Sequence, residues 1–252
     1  MQVERDGELA ILRMQAGKAN AMNPAMVQRL AELCDELASS DARALVITGD
    51  GRSFSAGLSL PQLIDLDRAT MRGFMTDFKS AMLQVFSLPM PVVAAIDGHA
   101  IAGGCVLACQ CDVRLAADRP LKIGVNEVQL GIGLPAVVIE TLRLMLPSSS
   151  LVPVALAGGL FEAREALAVG LVDEVVAPEQ LLGRACERAR ELAAIPTAAY
   201  AQVKLAWRRP AIEAIESSHE ALGEQWLDTW YSTEAQRRLR AIVDRLHAKA
   251  SS

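Results

Sequence analysis

Glu127 is the residue of this chain whose neighbours best equip it to move a proton. It stands in Gly124-Val125-Asn126-Glu127-Val128-Gln129-Leu130-Gly131-Ile132-Gly133-Leu134-Pro135, an apolar, glycine-punctuated stretch preceded closely by only two basic residues, Arg119 and Lys122. Apolar surroundings disfavour the charged form of a carboxyl group. Its pKa is therefore expected to rise toward the range in which one group can both remove and return a proton. Upstream lies Gly98-His99-Ala100-Ile101-Ala102-Gly103-Gly104-Cys105, where two glycines open an apolar helix. No Lys-Ser/Thr follows them and the Gly-x-Gly-x-x-Gly spacing is absent, so a phosphate loop is a poor reading. What remains is a plain tight turn, or a backbone N–H aimed at a developing oxyanion with help from the helix N-terminus. Phe54-Ser55-Ala56-Gly57-Leu58 is a second small-residue turn directly after an apolar run and a source for a second donor. One carboxylate with two backbone donors is equipment for acid–base chemistry on a carbonyl compound, the enolate being held as it forms.

The other chemistry-bearing residues read more simply. Cys105, Cys109 and Cys111 fall on one apolar helix with no Cys/His pair at zinc spacing elsewhere, so buried structural thiols are the better reading and no metal is expected. His99, His219 and His247 are scattered and suggest no triad; His99 beside Gly98 reads as a turn residue. Glu140 follows an apolar run and reads as a helix-surface charge rather than a second acid. The Leu- and Met-rich helix faces are either core or a greasy binding tunnel.

The elements that must carry these residues follow a repeated grammar. Leu9–Met14, Ala44–Thr48, Val92–Ile96, Val113–Ala116, Leu121–Gly124 and Val172–Val176 read as strands, several of them apolar on both faces. Asn23-Pro24 is an N-cap followed by proline at the first helical position, and Met26–Leu37 then carries a helical period. Met71–Phe86, Cys105–Cys111, Ala163–Leu167 and Leu182–Ala194 read as further helices. Alternating strand and helix argues an α/β core with parallel pairing. Beyond Ile195-Pro196 the chain is almost wholly helical, with three helices expected over Tyr200–Trp207, Ile212–Trp230 and Glu234–Ala248. A boundary is placed there, dividing a core of residues 1–195 from a helical segment of 196–252 that packs on that core or on a neighbouring subunit.

The 252 residues are 52% apolar and carry 25 basic against 30 acidic side chains, a net charge of −5 with no basic cluster. Nucleic acid and anionic membranes are therefore not expected as partners. The most apolar stretch, Pro91–Val113, is interrupted by Asp97, His99, glycines, Gln110 and Asp112, which argues against a membrane span. The start is not a secretory signal and the end matches no peroxisomal address. Five cysteines, an odd number, fit reduced thiols. The expectation is a cytoplasmic globular protein.

Three blocks, in order, resemble the crotonase (enoyl-CoA hydratase/isomerase) superfamily: Phe54-Ser55-Ala56-Gly57-Leu58-Ser59-Leu60, the run from Pro91 through Gly103-Gly104-Cys105 to Asp112, and the Glu127 block. Ala157-Gly158-Gly159 and Gly170-Leu171-Val172-Asp173 fit the segment that usually follows. The resemblance implies an α/β fold of the crotonase and ClpP-like kind, a spiral of ββα units with a C-terminal helical segment, assembled as a homotrimer or dimer of trimers. It implies an acyl-CoA thioester as the partner, with coenzyme A belonging to the substrate and no separate cofactor. Carried over by position, the N–H groups of Leu58 and Gly103 bind the thioester oxygen, and Ala56 with its neighbours meets the adenine. Gly57, Gly104, Val106 and Leu134 are assigned to substrate contact. Ser59 stands where the family commonly has Asp. Lys18, Lys204 and Arg208 are the basic residues considered for the CoA phosphates.

One departure narrows the activity that the resemblance implies. Hydratases of the superfamily carry a catalytic Glu directly after Gly-Gly-Cys, and this chain has Val106. Hydration divides water activation and proton delivery between two glutamates, whereas a single carboxylate can take a C2 proton and return it at C4. The mitochondrial-type enoyl-CoA Δ3,Δ2-isomerases share the single Glu in an Asn-Glu-x-Gln-Leu-Gly-Ile block and the Ala-Gly-Leu turn. The expectation is an isomerase converting 3-enoyl-CoA to 2-trans-enoyl-CoA through Glu127. The alternatives are a hydratase-like or decarboxylase member, or a non-catalytic acyl-CoA-binding member.

Overall fold

The computed structural model of the chain describes residues 1–15 and 17–250. Its strands are β1 (Gln2–Asp6), β2 (Leu9–Arg13), β3 (Ala44–Thr48), β4 (Ser53–Ser55), β5 (Val92–Ile96), β6 (His99–Ile101), β7 (Val113–Ala117), β8 (Ile123–Gly124) and β9 (Glu174–Val176). Its helices are α1 (Pro24–Ala38), α2 (Leu60–Leu63), α3 (Arg68–Ser87), α4 (Gly103–Gln110), α5 (Ala136–Met145), α6 (Ala163–Ala168), α7 (Leu181–Ala193), α8 (Thr197–Trp230) and α9 (Thr233–Ala250). Asn23 caps α1 as its sequence predicts, its side chain accepting from Met26 N at 2.8 Å, with Pro24 opening the helix.

Two sheets run side by side through the molecule. The larger has the order β1-β2-β3-β5-β7-β9, parallel except for the β1–β2 hairpin. β3 and β5 are buried along their whole length, which is what their unbroken apolar runs require. The smaller sheet is β4-β6-β8, also parallel. The chain therefore cycles through a long strand, a short strand and a helix: β3-β4-α3, then β5-β6-α4, then β7-β8-α5. This is the ββα spiral. α4 is buried at every residue from Gly103 to Gln110, in keeping with a helix apolar on all sides.

The C-terminal segment departs from expectation in two ways. Instead of two helices broken near Pro210, α8 is continuous from Thr197 to Trp230 with Pro210 inside it. Pro removes a helical hydrogen bond, but Lys204 and Arg208 before it and Ala211 and Ile215 after it are all buried, so packing on both sides carries the helix through the proline. Second, Lys204 and Arg208 are not placed for phosphate. Lys204 Nζ donates to Met90 O and Asp112 Oδ2, both at 2.8 Å, while Arg208 reaches Asp112 Oδ1 at 2.7 Å. Arg208 also donates to Gln110 O and Phe86 O, carbonyls at the ends of α4 and α3 that have no helical partner, and lies over the Phe86 ring at 4.1 Å. Burial pushes the Lys204 ammonium down to about 8 and lowers Arg208, and Asp112 opposes both shifts. Asp112→Ala leaves two buried cations without their counter-ion. It is expected to destabilise the fold by about 3–5 kcal/mol in denaturant titration; a loss under about 1 kcal/mol would show that the cluster is hydrated. The side chain of Lys18 lies outside the described residues.

Candidate active site

The small sheet brings the site together. Leu58 follows β4, Gly103 follows β6 and Glu127 follows β8, and these three short parallel strands are neighbours. Adjacent strands lie about 4.8 Å apart, so segments leaving their carboxyl ends must meet at one edge. Successive turns of the spiral thus each deliver one part of the site.

The two donors are set by backbone pairing around them. Met22 N–H donates to Gly57 O at 2.7 Å and Ser59 N–H to Met22 O at 2.8 Å. Backbone groups alternate in direction along such a bridge, so the intervening Leu58 N–H points the other way, toward the cavity. Gly103 is the first residue of α4 and its N–H has no helical acceptor. Ala102 ahead of it has φ 51° and ψ −126°, a conformation that costs a non-glycine residue about 1–3 kcal/mol. Its N–H is tied to Gly124 O at 2.9 Å, which fixes the Ile101–Ala102 peptide, one residue before the Gly103 donor, against β8. Neither the Leu58 nor the Gly103 N–H donates to a protein acceptor among the described residues.

Glu127 opens a 3₁₀ turn, Glu127–Leu130, which closes on Gly131 at φ 83°. The two C-terminal helices clamp this turn: Thr229 Oγ1 accepts from Gly133 N at 2.9 Å, and Arg238 donates to Gln129 O at 2.7 Å. Glu127 as a residue is half-buried, but its Oε2 is inaccessible and without a hydrogen-bond partner. That desolvation pushes its carboxyl up to about 7, against a small opposing pull from its own backbone N–H.

These groups face a cavity of about 210 Å³. Ala56, Leu58, Gly103, Val106 and Glu127 line it, and Glu127 is the one titratable side chain among the described residues doing so. Three residues assigned to substrate contact are not among its walls. Gly104 is packed against β4, where an added Cβ would sit 2.1 Å from Ser55 O. Gly57, at φ 82°, is buried where the Leu58 segment passes α4. Leu134 packs on the core while its neighbours Ile132 and Pro135 take the wall. The sequence left the greasy helix faces undivided between core and tunnel; the structure assigns Met75 and Phe78 of α3, and Trp226 and Trp230 of α8, to the cavity. The spacing of the two tryptophans on one helix was the available signal, but nothing local tied it to Glu127. Glu140 pairs with Arg143 at 3.0 Å and does not line the cavity, and His99 Nδ1 accepts from Lys122 N at 3.0 Å. The thiols of Cys105, Cys109 and Cys111 are buried in and beside α4.

Among known protein families, the one described as enoyl-CoA hydratase/isomerase matches residues 4–247. The chain belongs to the enoyl-CoA hydratase/isomerase family. Its relatives carry both names. A putative enoyl-CoA hydratase of Thermus thermophilus is 34% identical over 77% of this chain and 76% of its own length. The human mitochondrial enoyl-CoA delta isomerase 1 is 28% identical over 94% of this chain and 80% of its own. Among solved structures, human mitochondrial delta3-delta2-enoyl-CoA isomerase superposes with a TM-score of 0.92 at 28% identity, covering 98% of each chain. A Mycobacterium tuberculosis protein, described in one structure as an enoyl-CoA isomerase and in another as a probable enoyl-CoA hydratase, superposes in the first with a TM-score of 0.83 at 35% identity, covering 88% of this chain and 97% of its own. The fold is accordingly the crotonase fold, and the family acts on enoyl-CoA thioesters. No helix among the described residues is long and apolar enough to cross a membrane.

Proposed function

We propose that the protein is an enoyl-CoA isomerase, moving a double bond from C3 to C2 of an acyl-CoA thioester. The observation that carries this reading is that Glu127 is the single titratable side chain among the described residues lining the cavity, where Val106 supplies apolar wall at the position that, by the family resemblance, hydratases give to a second glutamate. Water held between substrate and one carboxylate would lack a second acceptor to orient it. Proton transfer within the substrate needs no water. The similarity to the human isomerase in sequence and fold supports the same reading.

The chemistry balances on one group. The Glu127 carboxylate takes a proton from C2, and the C–H electron pair becomes the C1=C2 bond as the thioester oxygen takes up negative charge. The Leu58 and Gly103 N–H groups hold that oxyanion, each contributing about 3–4 kcal/mol in the transition state. Glu127 then returns the proton to C4: the C3=C4 pair forms the new C–H bond, the C1=C2 pair shifts to become C2=C3, the carbonyl re-forms, and the carboxylate is regenerated. The position of α4, with its N-terminus at Gly103, adds favourable dipole at the oxyanion.

A 3-enoyl-CoA ester incubated with the protein should give the conjugated 2-trans product, followed by its absorbance. Because relatives include a described hydratase, crotonyl-CoA is the discriminating second substrate; robust hydration with no isomerisation would overturn the reading. The pH profile gives a further expected outcome. Only the carboxylate accepts a proton, so kcat/KM should fall about tenfold per pH unit below a midpoint near 7. A flat profile from about pH 5.5 to 8 would remove Glu127 as the base.

A further inference from the structure

The cavity at Glu127 does not end in solid core. Met75, Pro135 and Trp226, part of its wall, also line a void of about 10 Å³ that continues past His219 and Gly223. Met75, His219 and Gly223 in turn line a surface cleft of about 360 Å³ between α3 and α8. The three spaces lie in series, and the middle one is pinched. About 10 Å³ holds one water and admits no alkyl chain.

Trp226 is the side chain that makes the pinch stiff. It is 4% exposed and stacked on Trp230 with ring centroids 5.1 Å apart and planes at 25°. One helical turn earlier stands Gly223, where an added Cβ would meet nothing within 4 Å. The helix therefore leaves open space on the cleft side of the tryptophan, and Trp226 is the α8 side chain that, with Met75 and Pro135 opposite, stands between that space and the catalytic cavity. A thioester held at Leu58 and Gly103 cannot send its coenzyme A through the pinch, so the acyl tail is the part of the substrate with room on the Trp226 side.

We propose that Trp226 is the specificity-determining residue that limits acyl length, the substrates being 3-enoyl-CoA esters with short to medium apolar tails. The size follows from the cavity: an engineered apolar cavity of about 150 Å³ accepts benzene, so about 210 Å³ accommodates an acyl group of about eight carbons. Beyond the pinch, itself lined by Lys79, a longer tail would enter a cleft edged by the Arg72–Glu224 ion pair and Glu220, a poor setting for methylenes. The assignment of the tail to 3-enoyl esters rests on the isomerase reading; the length limit itself does not.

Calorimetric binding of saturated acyl-CoA esters of about four to sixteen carbons tests the limit without calling on catalysis. In the wild-type protein affinity should rise with length to about eight carbons and fall at least about tenfold by twelve, the scale on which a hydrophobic pocket discriminates. Trp226→Ala should let affinity keep rising, and adding Gly223→Leu, which fills the space beyond, should restore the limit. Trp226→Leu repeats the test with more apolar volume kept, in case the alanine variant does not fold. Affinity that climbs steadily to sixteen carbons in the wild type, or a limit unmoved by either Trp226 variant, overturns the proposal. Parallel assays with 3-enoyl esters report on the isomerase reading alone: their failure with a clear length limit in binding would count against the reaction and not against the gate.

Discussion

Glu127→Gln should lower the isomerisation rate by about 10⁴-fold, the upper range for loss of a positioned acid–base group, because no other titratable side chain among the described residues lines the cavity. The same change should stabilise the fold at pH 8. A carboxyl raised from 4.5 to about 7 is charged at pH 8 against the preference of its surroundings, which corresponds to about 3 kcal/mol. Stability contributed by the protonated form is complete below the unfolded value of 4.5 and is lost as pH rises through about 7. The variant should therefore melt above wild type at pH 8, by up to about 3 kcal/mol in unfolding free energy, with the gap closing toward pH 4.5. A variant that loses activity but gains nothing at pH 8 would mean that the carboxylate is solvated, and the raised pKa would have to be abandoned as the basis of the proton shuttle.

Gly57→Ala should damage the reaction nearly as severely without touching a titratable group. The glycine has φ 82°, and a Cβ there would fall 2.8 Å from Ile101 O, 2.8 Å from Ala102 Cβ and 2.9 Å from Gly103 N. None of these is the far end of a flexible side chain. The Leu58 segment must move away from the start of α4, separating the two N–H groups that hold the oxyanion. Losing one such donor costs about 10²–10³ in kcat, so a loss near about 10³ is expected, together with about 1–3 kcal/mol of stability from backbone strain. Gly7→Ala is the control. Gly7 has φ 60° in the β1–β2 hairpin with nothing within 4 Å of an added Cβ, so it carries the strain without the collision. Equal effects of the two substitutions on kcat would show that strain rather than donor geometry is responsible.

Much of the architecture is written locally. The unbroken apolar runs at β3 and β5 could only be strands buried on both faces. The Asn23-Pro24 start of α1 and the apolar length of α4 needed no tertiary information either. Local rules fail where a later contact outweighs them. Pro210 signals a helix end, and α8 continues because buried side chains on both sides hold it. Lys204 and Arg208 look like surface cations until Asp112, at the mouth of β7, is brought between them.

The candidate site divides the same way. From residue types alone, the sequence determined that Glu127 sits in apolar surroundings and that Gly103 begins a helix; that Val106 stands where a second carboxylate would be came from the resemblance to the crotonase superfamily. Their meeting was decided only by the tertiary structure. β4, β6 and β8 are too short to leave a periodic signature, and their hydrogen-bonded register puts Leu58, Gly103 and Glu127 at one edge. The far wall at Trp226 was hidden for a related reason: a stacked tryptophan pair reads as core until the fold shows that one side of it faces a cavity. Identity and burial are encoded residue by residue, whereas proximity is a property of backbone register and packing between segments distant in the chain.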